Sequence, residues 1–174
     1  MKIRTGMLLA IMHVVAWVTF IGLLIQAGSM LVSYGISLTH HEAAKDLYQG
    51  WDLYELQQSN WGYYTAAVAG AIALTVLKAY IAILVVKVLA AVKLSNPFTM
   101  EIASRIERVS FIILVTWVAT LLYNAYIHSL PGITFGPLSN VVSGETLFLA
   151  GVVFVIAQIF KKGVEIQSEN ELTI

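Results

Sequence analysis

TGMLLAIMHVVAWVTFIGLLIQAGSMLVSYGISLTHH, residues 5–41, contains no Asp, Glu, Lys or Arg. A helix crossing a hydrocarbon core of about 30 Å needs roughly 20 mainly apolar residues at roughly 1.5 Å each. The stretch therefore holds one crossing and a polar continuation, since Gly and Ser break up its distal end. Its basic start (Lys2, Arg4) and Ala27-Gly28-Ser29 superficially suit a secretory leader. The apolar part is longer than the about 7–15 residues of a leader's core, so an uncleaved first helix is expected.

Three more charge-free stretches follow. One runs between Glu55 and Lys78 and continues through IAILVV to Lys87, one between Arg108 and Glu145, and one, TLFLAGVVFVIAQIF, between Glu145 and Lys161. Spans are expected near 7–32, 63–88, 109–127 and 141–160, within a single domain and with a short tail at 161–174. The fold class is an all-α integral membrane protein, four transmembrane helices in an antiparallel bundle.

Composition agrees. Of 174 residues 59% are hydrophobic and 11% charged, and mean hydropathy is +0.81. A soluble domain carries about a quarter charged residues. Ten basic against ten acidic residues leave no net charge, which removes the electrostatic footprint of direct nucleic-acid binding. The absence of cysteine excludes thiolate chemistry, disulfides and Cys-type metal sites.

Basic residues set the expected orientation. Lys2 and Arg4 precede the first span, Lys87, Lys93, Arg105 and Arg108 flank the middle connection, and Lys161 and Lys162 follow the last span. The first loop has only Lys45 against Glu42, Asp46, Asp52 and Glu55. The positive-inside rule then places both termini and the middle connection of a multi-pass membrane protein in the cytoplasm.

In the first loop Ala44, Leu47, Tyr48, Trp51 and Tyr54 recur at helical spacing. A short amphipathic helix there either lies among the headgroups or packs as a lid on the helix ends, and Gly50 weakens its continuity. His40, His41, Glu42 and Asp46 lack the spacing of a metal site, and solvated side chains account for them. In the middle connection Pro97 ends the second helix, so Asn96 or Thr99 caps the third. Arg105 and Arg108 reach toward headgroups. Ala66 with Gly70, and Ala69 with Ala73, permit close helix approach, within the bundle or across a homo-oligomer seam.

Two stretches carry a family resemblance: NPFTMEIASRIERV, with Asn96, Pro97, Phe98 and Thr99, and the C-terminal segment with Lys161, Lys162, Gly163, Glu165, Glu169, Asn170, Glu171, Leu172 and Thr173. They resemble a bacterial family of small four-span membrane proteins, the domain of unknown function 2975 family. The resemblance implies no established activity. Pairing of members with small helix-turn-helix regulators implies a regulatory role.

Sequences for nucleophile elbows, zinc hydrolases, P-loops and dinucleotide sites are absent, so neither an enzyme nor a cofactor is expected. Two function classes remain. The first is a membrane-embedded regulatory or interaction protein, engaging a helix-turn-helix regulator or another membrane protein through its cytoplasmic loop and its tail, where Glu165, Glu169, Glu171 and Leu172 would dock. The second is a small-molecule binder or transporter. For it, Glu145 lies 16 residues before Lys161 and Asn124 16 after Arg108, each about 24 Å from its charged anchor. His128 is one turn beyond Asn124, and Gln26 reaches a comparable level. These four form a candidate polar pocket, against the simpler account that Glu145 sits in the first turn of its helix, with Ser143 as cap. Lys78 and His13, both about 13 Å in from charged residues, form a candidate intramembrane pair, against snorkelling of Lys78.

Overall fold

The computed structural model describes residues 2–92, 99–130 and 144–171, without the side chains of 2–5, 170 and 171. The Asn96-Pro97-Phe98 turn, the connection 131–137, the Ser143 cap and residues 172–174 lie outside the described residues. Five helices form: α1 (Lys2–Thr39), α2 (Tyr54–Ser59), α3 (Trp61–Ala91), α4 (Met100–Ser129) and α5 (Gly144–Glu171), with a 3₁₀ turn at His41–Asp46. Four are long and apolar enough to cross a membrane, and no strand occurs among the described residues. The protein is an all-α multi-pass membrane protein. The long helices contain no proline, because Pro97, Pro131 and Pro137 all fall between them.

These helices outrun their apolar stretches. The Gly and Ser residues expected to break up the distal end of α1 do not interrupt it: Ser37, like Thr39, bonds to the helix's own carbonyls, Ser37 to Tyr34 and Thr39 to Ile36, which keeps both compatible with a helix. Thr99 caps α4, accepting the Ile102 N–H at 3.3 Å. Asn60 caps α3, accepting the Tyr63 N–H at 3.1 Å.

The chain forms two compact units, residues 1–20, 80–115 and 143–174, and residues 21–79 and 116–142. In the second, the 40–60 segment folds down as a lid. Ala44, Leu47, Leu53 and Leu56 are buried in one core with Tyr64, Val68, Leu74, Tyr123 and Ile127. It is not one amphipathic helix. Gln49 (φ 49°) and Gly50 (φ 82°) reverse the chain, a left-handed geometry that suits glycine. The reversal is closed by Leu53 N–H to the Ala44 carbonyl (2.8 Å) and by Gly50 N–H to Asp46 Oδ1 (3.0 Å). Lys45 lies outside the spans, and the hydrogen bond and charge of Glu42 raise its pKa above the ordinary lysine value.

A hydroxyl knot joins the lid to the helices. Ser37 gives its only O–H to the Tyr34 carbonyl (2.7 Å), so the 2.5 Å contact with Tyr64 must use the tyrosine's proton. Gln57 donates to the Ser37 carbonyl. Close α3–α4 approach occurs at Gly70, where Tyr123 crosses and donates to the Ala67 carbonyl at 3.0 Å. Ala66, Ala69 and Ala73 stay exposed, while Ala67 and Ala71 take the packed face.

The first unit is built on Leu84, Val109, Ile113 and Ala150. The Ser110 hydroxyl bonds to the Ala150 carbonyl (2.8 Å), fastening α4 to α5. The two expected snorkelling arginines have partners: Arg105 donates to the Lys87 carbonyl and to Glu101, and Arg108 to the Tyr80 hydroxyl at 2.7 Å.

Candidate functional site

A polar cavity of about 130 Å³ lies within the second unit, lined by Gln26, Met30, Trp51, Thr75 and Lys78 among others. Each helix places its residues by register. Leu23, Gln26 and Met30 share one face of α1, and Ala71, Thr75 and Lys78 share one face of α3, at i, i+3 or i+4, i+7 spacing. Trp51 comes from the lid just after its reversal. Thr75 is buried and directs its hydroxyl to the Ala71 carbonyl (2.9 Å), with the Met30 sulfur 4.0 Å away. The lining supplies an ammonium, an amide and a hydroxyl at membrane depth. With a water occupying roughly 30 Å³ of liquid, this space suits a few waters or one small ion rather than a drug-sized ligand.

This brings together two residues that sequence reasoning assigned to different sites, Gln26 and Lys78. Depth counting treated each helix as an isolated rod. It had no way to pair their faces, and nothing in the sequence signals that Trp51 reaches the same space. Asn124 is half-buried and His128 exposed one turn later on α4, and neither lines this cavity. Glu145 occupies the first turn of α5 and is exposed, the favourable end of the helix dipole for a carboxylate. His13 lies on an outward face of α1, where its Nε2 accepts the Trp17 indole N–H at 3.1 Å.

A second polar cluster sits in the first unit. Glu107 on α4 accepts both contacts of the Lys161 ammonium (2.9 and 2.8 Å) and one from the Gln158 amide (3.2 Å). Both charged side chains are about a third exposed, 30% for Lys161 and 36% for Glu107, so solvent screens the pair and it acts chiefly by locating α5. Sequence reasoning passed over Glu107. Its signal was available: it is the lone acid between Glu101 and Glu145.

Beyond Lys161, α5 continues as helix through Glu171. Lys162, Glu165, Ile166 and Glu169 are exposed on one face of it, with Lys162 and Glu165 paired at 2.8 Å. Among the described residues no group of three or more His, Asp or Glu is placed to hold a metal.

Comparison with curated proteins and with solved structures finds no match. Residues 48–174 match the family described as "Protein of unknown function (DUF2975)". That region takes in the lid's second half, α3, α4 and α5, including both stretches that carried the resemblance, and so the chain belongs to the DUF2975 family.

Proposed function

We propose that this is a non-enzymatic, membrane-embedded interaction protein, its termini in the cytoplasm, whose tail recruits a partner such as a small soluble regulator. The observation that carries this reading is the helical extension of α5 past its apolar stretch. A solvated terminus has no need of ordered structure. This one leaves the membrane from a point located by Lys161 and Glu107, and it presents Glu165, Ile166 and Glu169 on one face, with Ile166 50% exposed. An apolar side chain between two carboxylates suits a partner groove with a basic rim, read through i, i+3, i+4 anchors.

Removing residues 165–174 should leave membrane insertion and α5 up to Lys162 intact but abolish co-purification of the partner from native membranes. Unchanged recovery would refute the docking role. Orientation is tested separately in this cysteine-free chain. A cysteine at exposed His41 should react with an impermeant maleimide in intact cells, while one at Ser168 should react only after permeabilisation. Labelling of the Ser168 position from outside reverses the topology.

A second reading rests on the Gln26–Thr75–Lys78 cavity: binding or transport of a small ion or polar solute. An ionisable side chain, Lys78, within a membrane-spanning helix favours it. Lys78→Met should then abolish solute uptake or binding by reconstituted protein and leave partner recovery through the tail unchanged. Full activity in that variant would remove the reading.

A further inference from the structure

In the first unit a partly open groove of about 670 Å³ lies between α4 and α5. Its polarity is graded. Glu107 and Arg108 stand at one end, and beyond them the walls are Phe111, Leu114, Leu147 and Phe154, all exposed. The floor is made of small residues. Ser110 turns its hydroxyl into the helix contact with Ala150, and a Cβ on Gly151 would meet nothing within 4 Å. A glycine inside a helix is destabilising by roughly 0.5–1 kcal/mol relative to alanine. Here no neighbour in the described structure requires the missing side chain, and its absence deepens the groove.

The groove's length discriminates between occupants. From Ser104 to Leu114 is ten residues of α4, about 15 Å, or half of a hydrocarbon core of about 30 Å. A helix from a second copy would pack along the full membrane thickness. A lipid acyl chain belongs to one leaflet and needs only this depth. The charged end then selects the headgroup. Glu107 is neutralised by Lys161 at 2.8 Å, leaving the Arg108 guanidinium as the excess charge. Arg108 uses one N–H on the Tyr80 hydroxyl and lies 5.9 Å from the centre of that ring. A guanidinium has five N–H donors in a fork that matches phosphate oxygens. Basic pockets between membrane helices at an interface recognise anionic headgroups in this way.

We propose that the α4–α5 groove is a binding site for an anionic phospholipid, one acyl chain lying against Phe111, Leu147, Gly151 and Phe154 and the phosphate held by Arg108. The site is independent of the tail's docking role. Native mass spectrometry of the full chain in detergent, titrated with an equimolar mixture of phosphatidylglycerol and phosphatidylcholine of matched chains, tests it. The expected result is a first phosphatidylglycerol adduct at least fivefold preferred. Arg108→Gln should equalise the two lipids, and Gly151→Leu, whose Cβ has open space around it and whose side chain occupies the groove, should weaken both. Circular dichroism and an unchanged melting temperature of Gly151→Leu without added lipid show that the fold is retained. Equal binding of both lipids by the parent chain would overturn the proposal. So would a preference that survives Arg108→Gln, lipid adducts indifferent to Gly151→Leu, or a dimer in the parent that Gly151→Leu dissociates, which would make a second copy the occupant.

Discussion

Replacement of Gly70 by leucine should abolish the close packing of α3 on α4 and destabilise the protein by about 3 kcal/mol or more, the upper range for overpacking a filled core. A Cβ on Gly70 would stand 2.6 Å from both Cδ2 and Cε2 of Tyr123. These atoms belong to the middle of a ring whose far end is tied to the Ala67 carbonyl and whose surroundings are the buried core of the lid. The ring cannot swing aside without losing that bond and opening the core. Even alanine should cost about 1–3 kcal/mol here, although Gly→Ala inside a helix ordinarily stabilises by about 1 kcal/mol. Gly22, whose Cβ would meet nothing, should show that ordinary sign. Thermal melts in detergent of Gly70→Ala, Gly70→Leu and Gly22→Ala check this. Partial recovery of Gly70→Ala by Tyr123→Ser would assign the loss to the ring. A stabilising Gly70→Ala would refute the close approach.

Leu47→Ala should cost about 2–5 kcal/mol, as truncation of a buried leucine does when the surroundings only partly collapse. Leu47 is 1% exposed and its backbone N–H is held by the Trp51 carbonyl at 3.0 Å. It lies in the same core as Leu53, Leu56 and Tyr64, so a cavity there loosens the whole 40–60 lid. Limited proteolysis should cut the variant within this segment far faster than the parent, together with a lower melting temperature. Were the segment lying among headgroups instead, shortening one side chain would alter stability within about 0.5 kcal/mol, as most surface changes do. The two readings of the loop therefore give results that cannot be confused.

Individual residues show which parts of this protein could be read without coordinates. The helices were legible because every relevant signal is local. Thr99 lies just ahead of an apolar periodicity and does cap α4, and the prolines mark connections rather than helix interiors. The small residues of α3 were legible in kind but not in detail. Gly70 is a point of close approach, whereas Ala66, Ala69 and Ala73 are not. The face that packs is chosen by Tyr123 on another helix, which no count along α3 reveals. Glu107 stands out in the sequence as the lone acid between Glu101 and Glu145, but its partner Lys161, 54 positions away, is given only by the packing of α4 on α5.

The amino-acid sequence by itself determined that this chain crosses a membrane four times as helices. The cost of an unpaired peptide group in hydrocarbon leaves a charge-poor stretch of this length almost no other fold. It also determined family membership, over residues 48–174. Only the tertiary structure decided that the 40–60 segment is a lid, that Gln26 and Lys78 line one cavity with Trp51, and that Glu107 ties α4 to Lys161 of α5. Hydropathy is a sum over a window and is indifferent to rotation about the helix axis. Side-chain meetings depend on that rotation and on which helix lies alongside, and both are settled by packing small against large across helices distant in the chain.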